Sequence, residues 1–151
     1  SLKEFCCKRR INLFVCLQKN ITITIIYKMW RMIVLQIKFY NRGTTLIASI
    51  AGELDHHSAE YIRQKIDNEM IKSTNKNIIF DFSSLSFMDS SGIGVIMGRY
   101  KYVQRLNGKI AIVNTNVQID RILEMAGIKK IIPVYDKIDA AIGALQKSVR
   151  Q

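Results

Sequence analysis

Apolar residues recur along this chain with two different periods, and the changes between them mark out its elements. Across residues 33–40 every second position is apolar (Ile33, Leu35, Ile37, Phe39), the alternation of a half-buried strand. Asn41-Arg42-Gly43 is a turn signal and residues 45–50 are a second apolar run, so the two strands are expected to form a hairpin. Gly52-Glu53-Leu54-Asp55 then leads into a stripe at helical spacing (Ala59, Ile62, Ile66, Met70), with Asp55 as its expected N-cap. Residues 78–82 read as a buried strand carrying Asp81, and residues 83–86 as a polar loop before the apolar pair Phe87 and Met88. After Asp89-Ser90-Ser91-Gly92 a second helical stripe begins (Ile93, Ile96, Met97, Tyr100, Val103), which stops near Asn107-Gly108. Residues 109–113 form a short strand, and residues 117–126 a helix closed by Gly127 as its C′ residue. Residues 130–134 are expected as a last strand, placed at a sheet edge by Pro133. Ile138, Ala141, Ile142, Leu145 and Val149 give the closing helix.

The order β-β-α-β-α-β-α-β-α predicts an α/β fold: a mixed, mostly parallel sheet packed with helices, joined by right-handed crossovers, with an antiparallel member from the first hairpin. Ligand and partner sites in such sheets gather at the carboxyl ends of the strands. Asp81, Asp89 and Ser90 are expected there.

Composition divides the chain unevenly. Its 151 residues are 48% hydrophobic with a single proline, which suits one domain with a real core and excludes a low-complexity chain. The net charge of +11 suggests nucleic acid until it is located: residues 1–34 hold +6 of it. The remaining +5 is spread over 117 residues with both signs interspersed, which argues only for solubility. Cys6, Cys7 and Cys16 all lie in the first segment, an odd number without disulfide or zinc spacing. The absence of cysteine from Met32 onward fits a reducing compartment.

The first segment fits no targeting pattern. Gln18-Lys19-Asn20 interrupts its apolar run before it could span a membrane, no small-residue cleavage site follows, and Cys16 lacks the small residue of a lipoprotein site. Rich in Ile, Lys and Asn and without a period, it resembles translated AT-rich upstream sequence. Residues 1–34 are therefore expected to be a non-native or disordered extension, with the working domain spanning residues 35–151 and beginning near Met32 or Leu35.

Catalytic signatures are missing. Asp89-Ser90-Ser91-Gly92-Ile93-Gly94 is not a G-x-S-x-G elbow, and the only histidines, His56 and His57, are adjacent and expected to point in different directions. No Walker A or G-x-G-x-x-G motif occurs. Glu53, Asp55, His56, His57 and Glu60 could be imagined around a metal, but a capped helix start with solvated polar groups explains them better. Arg99, Lys101 and Arg105 are explained by a solvated helix face as readily as by nucleic-acid binding. For Ser90 two readings stand. It can cap the helix, or it can carry a phosphate, held by the helix dipole and free backbone N–H groups. A partner surface fitted to a neutral hydroxyl would then meet a clustered negative charge.

Residues 52–60 (GELDHHSAE), 85–100 (LSFMDSSGIGVIMGRY) and 121–130 (RILEMAGIKK) closely resemble the STAS-domain anti-sigma factor antagonists, in particular those of sporulation. The resemblance runs from about Leu35 to Val149. It implies the STAS fold and a cytoplasmic switch that is not an enzyme and needs no cofactor or metal. The unphosphorylated form is implied to bind an anti-sigma factor serine kinase, carrying ATP or ADP, and so to release a sporulation sigma factor. Phosphorylation of the serine after the aspartate, Ser90, would end binding, and a serine phosphatase would restore it. Asp55, Asp89, Ser91 and Gly92 are the implied partner-facing positions beside Ser90; no direct contact with nucleic acid or membrane is implied. The alternatives are a STAS domain of a sulfate-type membrane transporter and an antagonist of the general-stress type.

Overall fold

A single sheet carries the fold, with its strands side by side in chain order, β1-β2-β3-β4-β5. The computed structural model describes residues 35–113 and 115–147, together with Ile26 and Met29. The chain divides into two units, Ser1–Val34 and Leu35–Gln151. The expectations for residues 1–34, including a strand start at Ile33, and for Val149 fall largely outside the described residues.

β1 (Gln36–Arg42) and β2 (Thr45–Leu54) are antiparallel, in register from Gln36 opposite Ala51 to Arg42 opposite Thr45. The turn is Gly43-Thr44, two residues beyond the expected start, because Asn41 and Arg42 belong to the ladder. Gly43 has φ +61° and Thr44 has no positive φ, the type II′ pattern that suits the twist of a hairpin and favours glycine first. β3 (Asn77–Met88), β4 (Ile110–Val113) and β5 (Val134–Tyr135) continue the sheet in parallel.

Helices α1 (Ala59–Lys72), α2 (Ser90–Arg105) and α3 (Val117–Met125) form the crossovers, and α4 (Ile138–Lys147) follows β5. Each parallel strand is added on the same side of the last, so crossovers of one hand place α1, α2 and α3 on one face. The alternation within β2 and β3 provides that face. Leu46, Ala48, Ile50, Ile78, Phe80 and Phe82 share a core with Ile62 and Ile66 of α1, Val95 and Ile96 of α2, and Ile119 and Leu123 of α3. The intervening residues Ile47, Ile79, Ala111 and Val113 face the other way and are covered by Ala141 and Leu145 of α4.

Three expectations are corrected. Residues 83–86 are not a loop: β3 runs through them to Met88, with Ser84 opposite Ala51, Leu85 opposite Gly52 and Met88 opposite Leu54. The serines there are exposed while Leu85 and Met88 are buried, so the polarity marks a solvated strand face rather than a turn. Two register shifts in β2, between Ser49 and Ala51 and between Gly52 and Glu53, accommodate this pairing. β3 pairs with β4 only from Ile78 to Asp81, so beyond that point β2 and β3 run on together as a two-stranded arm. Second, Asp81 lies inside β3 rather than at its end; it is buried and its carboxylate accepts the Ser83 N–H at 3.1 Å. Third, residues 130–134 are mostly not strand. Gly127 (φ +72°) sends the chain into a 3-10 turn, Ile128–Lys130, and only Val134 and Tyr135 pair with β4.

α2 ends as the Asn107-Gly108 signal predicts. Asn107 takes the left-handed conformation at φ +54°, its N–H donates to Gln104 O at 3.1 Å, and the Gly108 N–H donates to Val103 O at 2.9 Å, a complete Schellman motif. A Cβ on Gly108 would collide with the Lys76 carbonyl, so glycine is required there for close approach as well.

Candidate functional site

Two turns meet at the end of the β2–β3 arm, one entering α1 and the other α2. The second is built on Asp89. It has extended backbone (φ −115°, ψ −169°) and is the N-cap of α2, its Oδ1 accepting the Ser91 N–H at 2.8 Å. Its main-chain carbonyl accepts the Gly92 N–H at 3.1 Å and the Ile93 N–H at 3.3 Å. The capping reading of Ser90 is thereby corrected. Asp89 does that work, and Ser90 is the first residue of the helix, exposed, with no protein hydrogen bond to its hydroxyl among the described residues. Three of the N–H groups at this helix start are engaged, since those of Ser91, Gly92 and Ile93 all point to Asp89.

The other Asp89 oxygen crosses to the neighbouring turn. Oδ2 accepts the His56 N–H at 3.2 Å, and the Asp89 N–H donates to Leu54 O at 3.3 Å. One carboxylate thus fixes the start of α2 and the β2–α1 turn against each other. A cap of this kind contributes about 1 kcal/mol to the helix it begins.

Asp55 performs a similar task one residue upstream of His56, though not as the N-cap of α1. Its Oδ1 accepts the N–H groups of His57 and Ser58, both at 3.0 Å, so it closes a turn that precedes the helix. Ser58 is the residue at the N-cap position. The Ser58 hydroxyl accepts the Asp55 N–H at 2.9 Å and donates to Glu53 O at 2.9 Å, tying the turn to the strand. Asp55 itself is buried.

The remaining site candidates divide. Ser91 is half-buried beside its cap, and Gly92 is buried. A Cβ on Gly92 would strike Met88 and crowd Leu54, so the residue allows the first turn of α2 to lie on the strand ends. His56 and His57 were expected to diverge. Their rings instead lie 4.0 Å apart between centroids, tilted by 44°, because they sit in a turn and not in a strand where neighbours alternate. Both are exposed.

Sequence reasoning also misplaced Arg99. It is not on the solvated face of α2 but buried against α1, with Nη1 3.2 Å from Asp67 Oδ1. Its Nε and Nη1 make no directed hydrogen bond, so the contact with Asp67 is one of charge alone. Burial lowers the Arg99 pKa from its ordinary value, opposed by the Asp67 carboxylate. The spacing of Arg99 with Val95, Ile96 and Val103 was the available signal that it shares the inward side of α2. On α1, hydrogen bonds from Arg63 and Gln64 hold the exposed Glu60 carboxyl below its usual range.

No group of three or more His, Cys, Asp and Glu is arranged to hold a metal among the described residues, and no helix there is long and apolar enough to cross a membrane. An open cleft of about 550 Å³ lies past the ends of β4 and β5, lined in part by Thr115, Asn116, Asp120 and Lys129. There Lys129 is paired with Asp120.

The STAS domain family matches residues 36–141, and the chain belongs to that family, among its anti-sigma factor antagonists. It is 38% identical over 112 residues to the anti-sigma F factor antagonist of Paenibacillus polymyxa, which covers 74% of this chain and 96% of that protein. Among solved structures it is similar to the antagonist SpoIIAA in its unphosphorylated form (TM-score 0.64, 29% identity, 75% of this chain and 96% of that one). It is also similar to the Bacillus cell fate determinant SpoIIAA in its phosphorylated form (TM-score 0.56, 30% identity, 73% and 97%).

Proposed function

We propose that this chain is an anti-sigma factor antagonist that works by partner switching at Ser90. The observation that carries the reading is the division of labour at the start of α2. Asp89 caps the helix, which leaves the Ser90 hydroxyl exposed and without a structural task. A phosphoryl group there adds about −1.5 to −2 charge directly beside the Asp89 carboxylate. The fold has no reason to yield, because no hydrogen bond to the Ser90 hydroxyl is lost. A partner surface that had closed over a neutral hydroxyl would have to bury that charge, at a cost of several kcal/mol. Association is switched while the domain is preserved.

In this reading the unphosphorylated form binds an anti-sigma factor that is itself an ATP-dependent serine kinase, and the sigma factor is released. The kinase phosphorylates Ser90, and a serine phosphatase reverses it. The switch operates in the cytoplasm, with no catalysis by this chain and no direct nucleic-acid or membrane contact. Ser90, Ser91 and the turn held by Asp55 and Asp89 form the partner surface, while Gly92 shapes it from beneath. The domain that does this begins at Leu35, where the chain divides and next to where the family match starts. The relative from Paenibacillus polymyxa is by name an antagonist of the anti-sigma F factor, and this, with the likeness to SpoIIAA, favours a sporulation sigma factor over a general-stress one.

Calorimetric titration against the anti-sigma factor tests the reading. Ser90→Ala is expected to bind within about threefold of the unmodified chain, and Ser90→Asp at least about 100-fold more weakly, a difference of about 2.7 kcal/mol. Equal affinity of Ser90→Asp and the unmodified chain would overturn it.

A further inference from the structure

A phosphoryl group on Ser90 would enter surroundings with little to receive it. The N–H groups of Ser91, Gly92 and Ile93 already serve Asp89, and the Asp89 carboxylate is adjacent and repels. Basic side chains are absent from the segments that build this end of the sheet: no Lys or Arg occurs in residues 53–62, 81–98 or 110–120. Of the cations beyond them, Arg63 is paired with Glu60, Arg99 with Asp67 and Lys129 with Asp120. The side chains here that can become positive are the imidazoles of His56 and His57. They stand on the turn whose backbone Asp89 Oδ2 holds at 3.2 Å, and both are exposed with their rings side by side.

We propose that the His56–His57 pair receives the phosphoryl group of phosphorylated Ser90, one protonated ring donating N–H to its oxygens while Asp89 keeps the two turns joined. The inference rests on the Ser90 reading and assigns it an internal receptor. An imidazolium ring and a phosphomonoester carry opposite charges, so a ring beside the phosphoryl group would hold it by a charge-assisted hydrogen bond. The charged groups on the turn and on the elements it joins are Glu53 and Asp55 on its amino side, Glu60 of α1 paired with Arg63, and Asp89 before α2. The turn that enters α1 would thereby report the state of Ser90 to any partner resting on it.

The experiment is a phosphorus NMR titration of the full chain carrying genetically encoded phosphoserine at position 90, together with its His56→Gln/His57→Gln variant. The phosphoserine midpoint in the folded chain is expected about 0.5 units or more below its value in the same chain unfolded in urea, and to return toward about 6 in the double variant. Both rings are exposed, so the variant is expected to fold, and amide spectra check this. The comparison with urea needs no variant to detect a shift, and the double variant assigns the shift to the histidines. A folded midpoint equal to the unfolded one, or a lowered midpoint that survives loss of both histidines, would overturn the proposal. The parent reading fails separately: if the kinase adds no phosphate to Ser90 of the natural-sequence chain, the receptor has no occupant and both fall.

Discussion

The starts of α1 and α2 use the same two residue types to opposite ends. At α1, Asp55 closes a turn and Ser58 is drawn into it, its hydroxyl bonded to the Asp55 N–H and the Glu53 carbonyl. At α2, Asp89 caps the helix alone and the serine beside it is left exposed. An aspartate that satisfies a helix start frees its neighbouring hydroxyl for other chemistry, whereas a serine built into the turn is held by structure. The contrast separates a serine that supports the fold from one that can carry a signal, within one short arm of the sheet.

Substitutions can break or sharpen this contrast, and the largest effect is expected at Asp89. Asp89→Ala removes the cap of α2 and leaves the His56 N–H without its acceptor, so urea unfolding should show a loss of about 2 kcal/mol. Ser90→Ala should change stability by less than about 0.5 kcal/mol in the same assay. Next in size, Ser58→Ala should cost about 1 kcal/mol, since it removes the hydroxyl that bridges the Asp55 N–H and the Glu53 carbonyl. If Ser58→Ala and Ser90→Ala were equally mild, the division between the two serines would not hold. An effect of the opposite sign, or none, is expected where the two helices touch away from their starts. Arg99→Met removes a buried cation with two undirected donors, and is expected to leave stability unchanged or raise it by up to about 1 kcal/mol. A loss of several kcal/mol would mean that Arg99 holds α1 and α2 in place.

Much of this was legible in the sequence because it depends on local pattern. The helices α1 and α2, the hairpin, Gly127 and the Asn107-Gly108 stop are set by spacing and backbone preference; Gly127 and the stop stand where expected, while the hairpin turn falls two residues later and the inward side of α2 takes in Val95 and Arg99. The course of β3 was not legible. Ser83, Ser84 and Ser86 have the composition of a loop, and only their pairing with a β2 strand bent by two register shifts keeps them extended. The same holds for residues 130–134, whose β-branched run is overridden by the Gly127 turn and the burial of Ile128 and Ile132. At the site, Asp89-Ser90 was visible as a helix start, but the choice of which residue caps it depends on Asp89 also reaching His56 across 33 positions of sequence. No local signal encodes that contact.

The central claim is that Ser90 is the serine set free for modification. Intact-mass spectrometry with peptide mapping, after incubation with the anti-sigma kinase and ATP, tests it most directly. The account predicts a single added phosphoryl group of about 80 Da, located on Ser90 and absent from Ser90→Ala, with Ser58 and Ser91 unmodified. A phosphate that persists in Ser90→Ala, or that maps to Ser58 or Ser91, would contradict it.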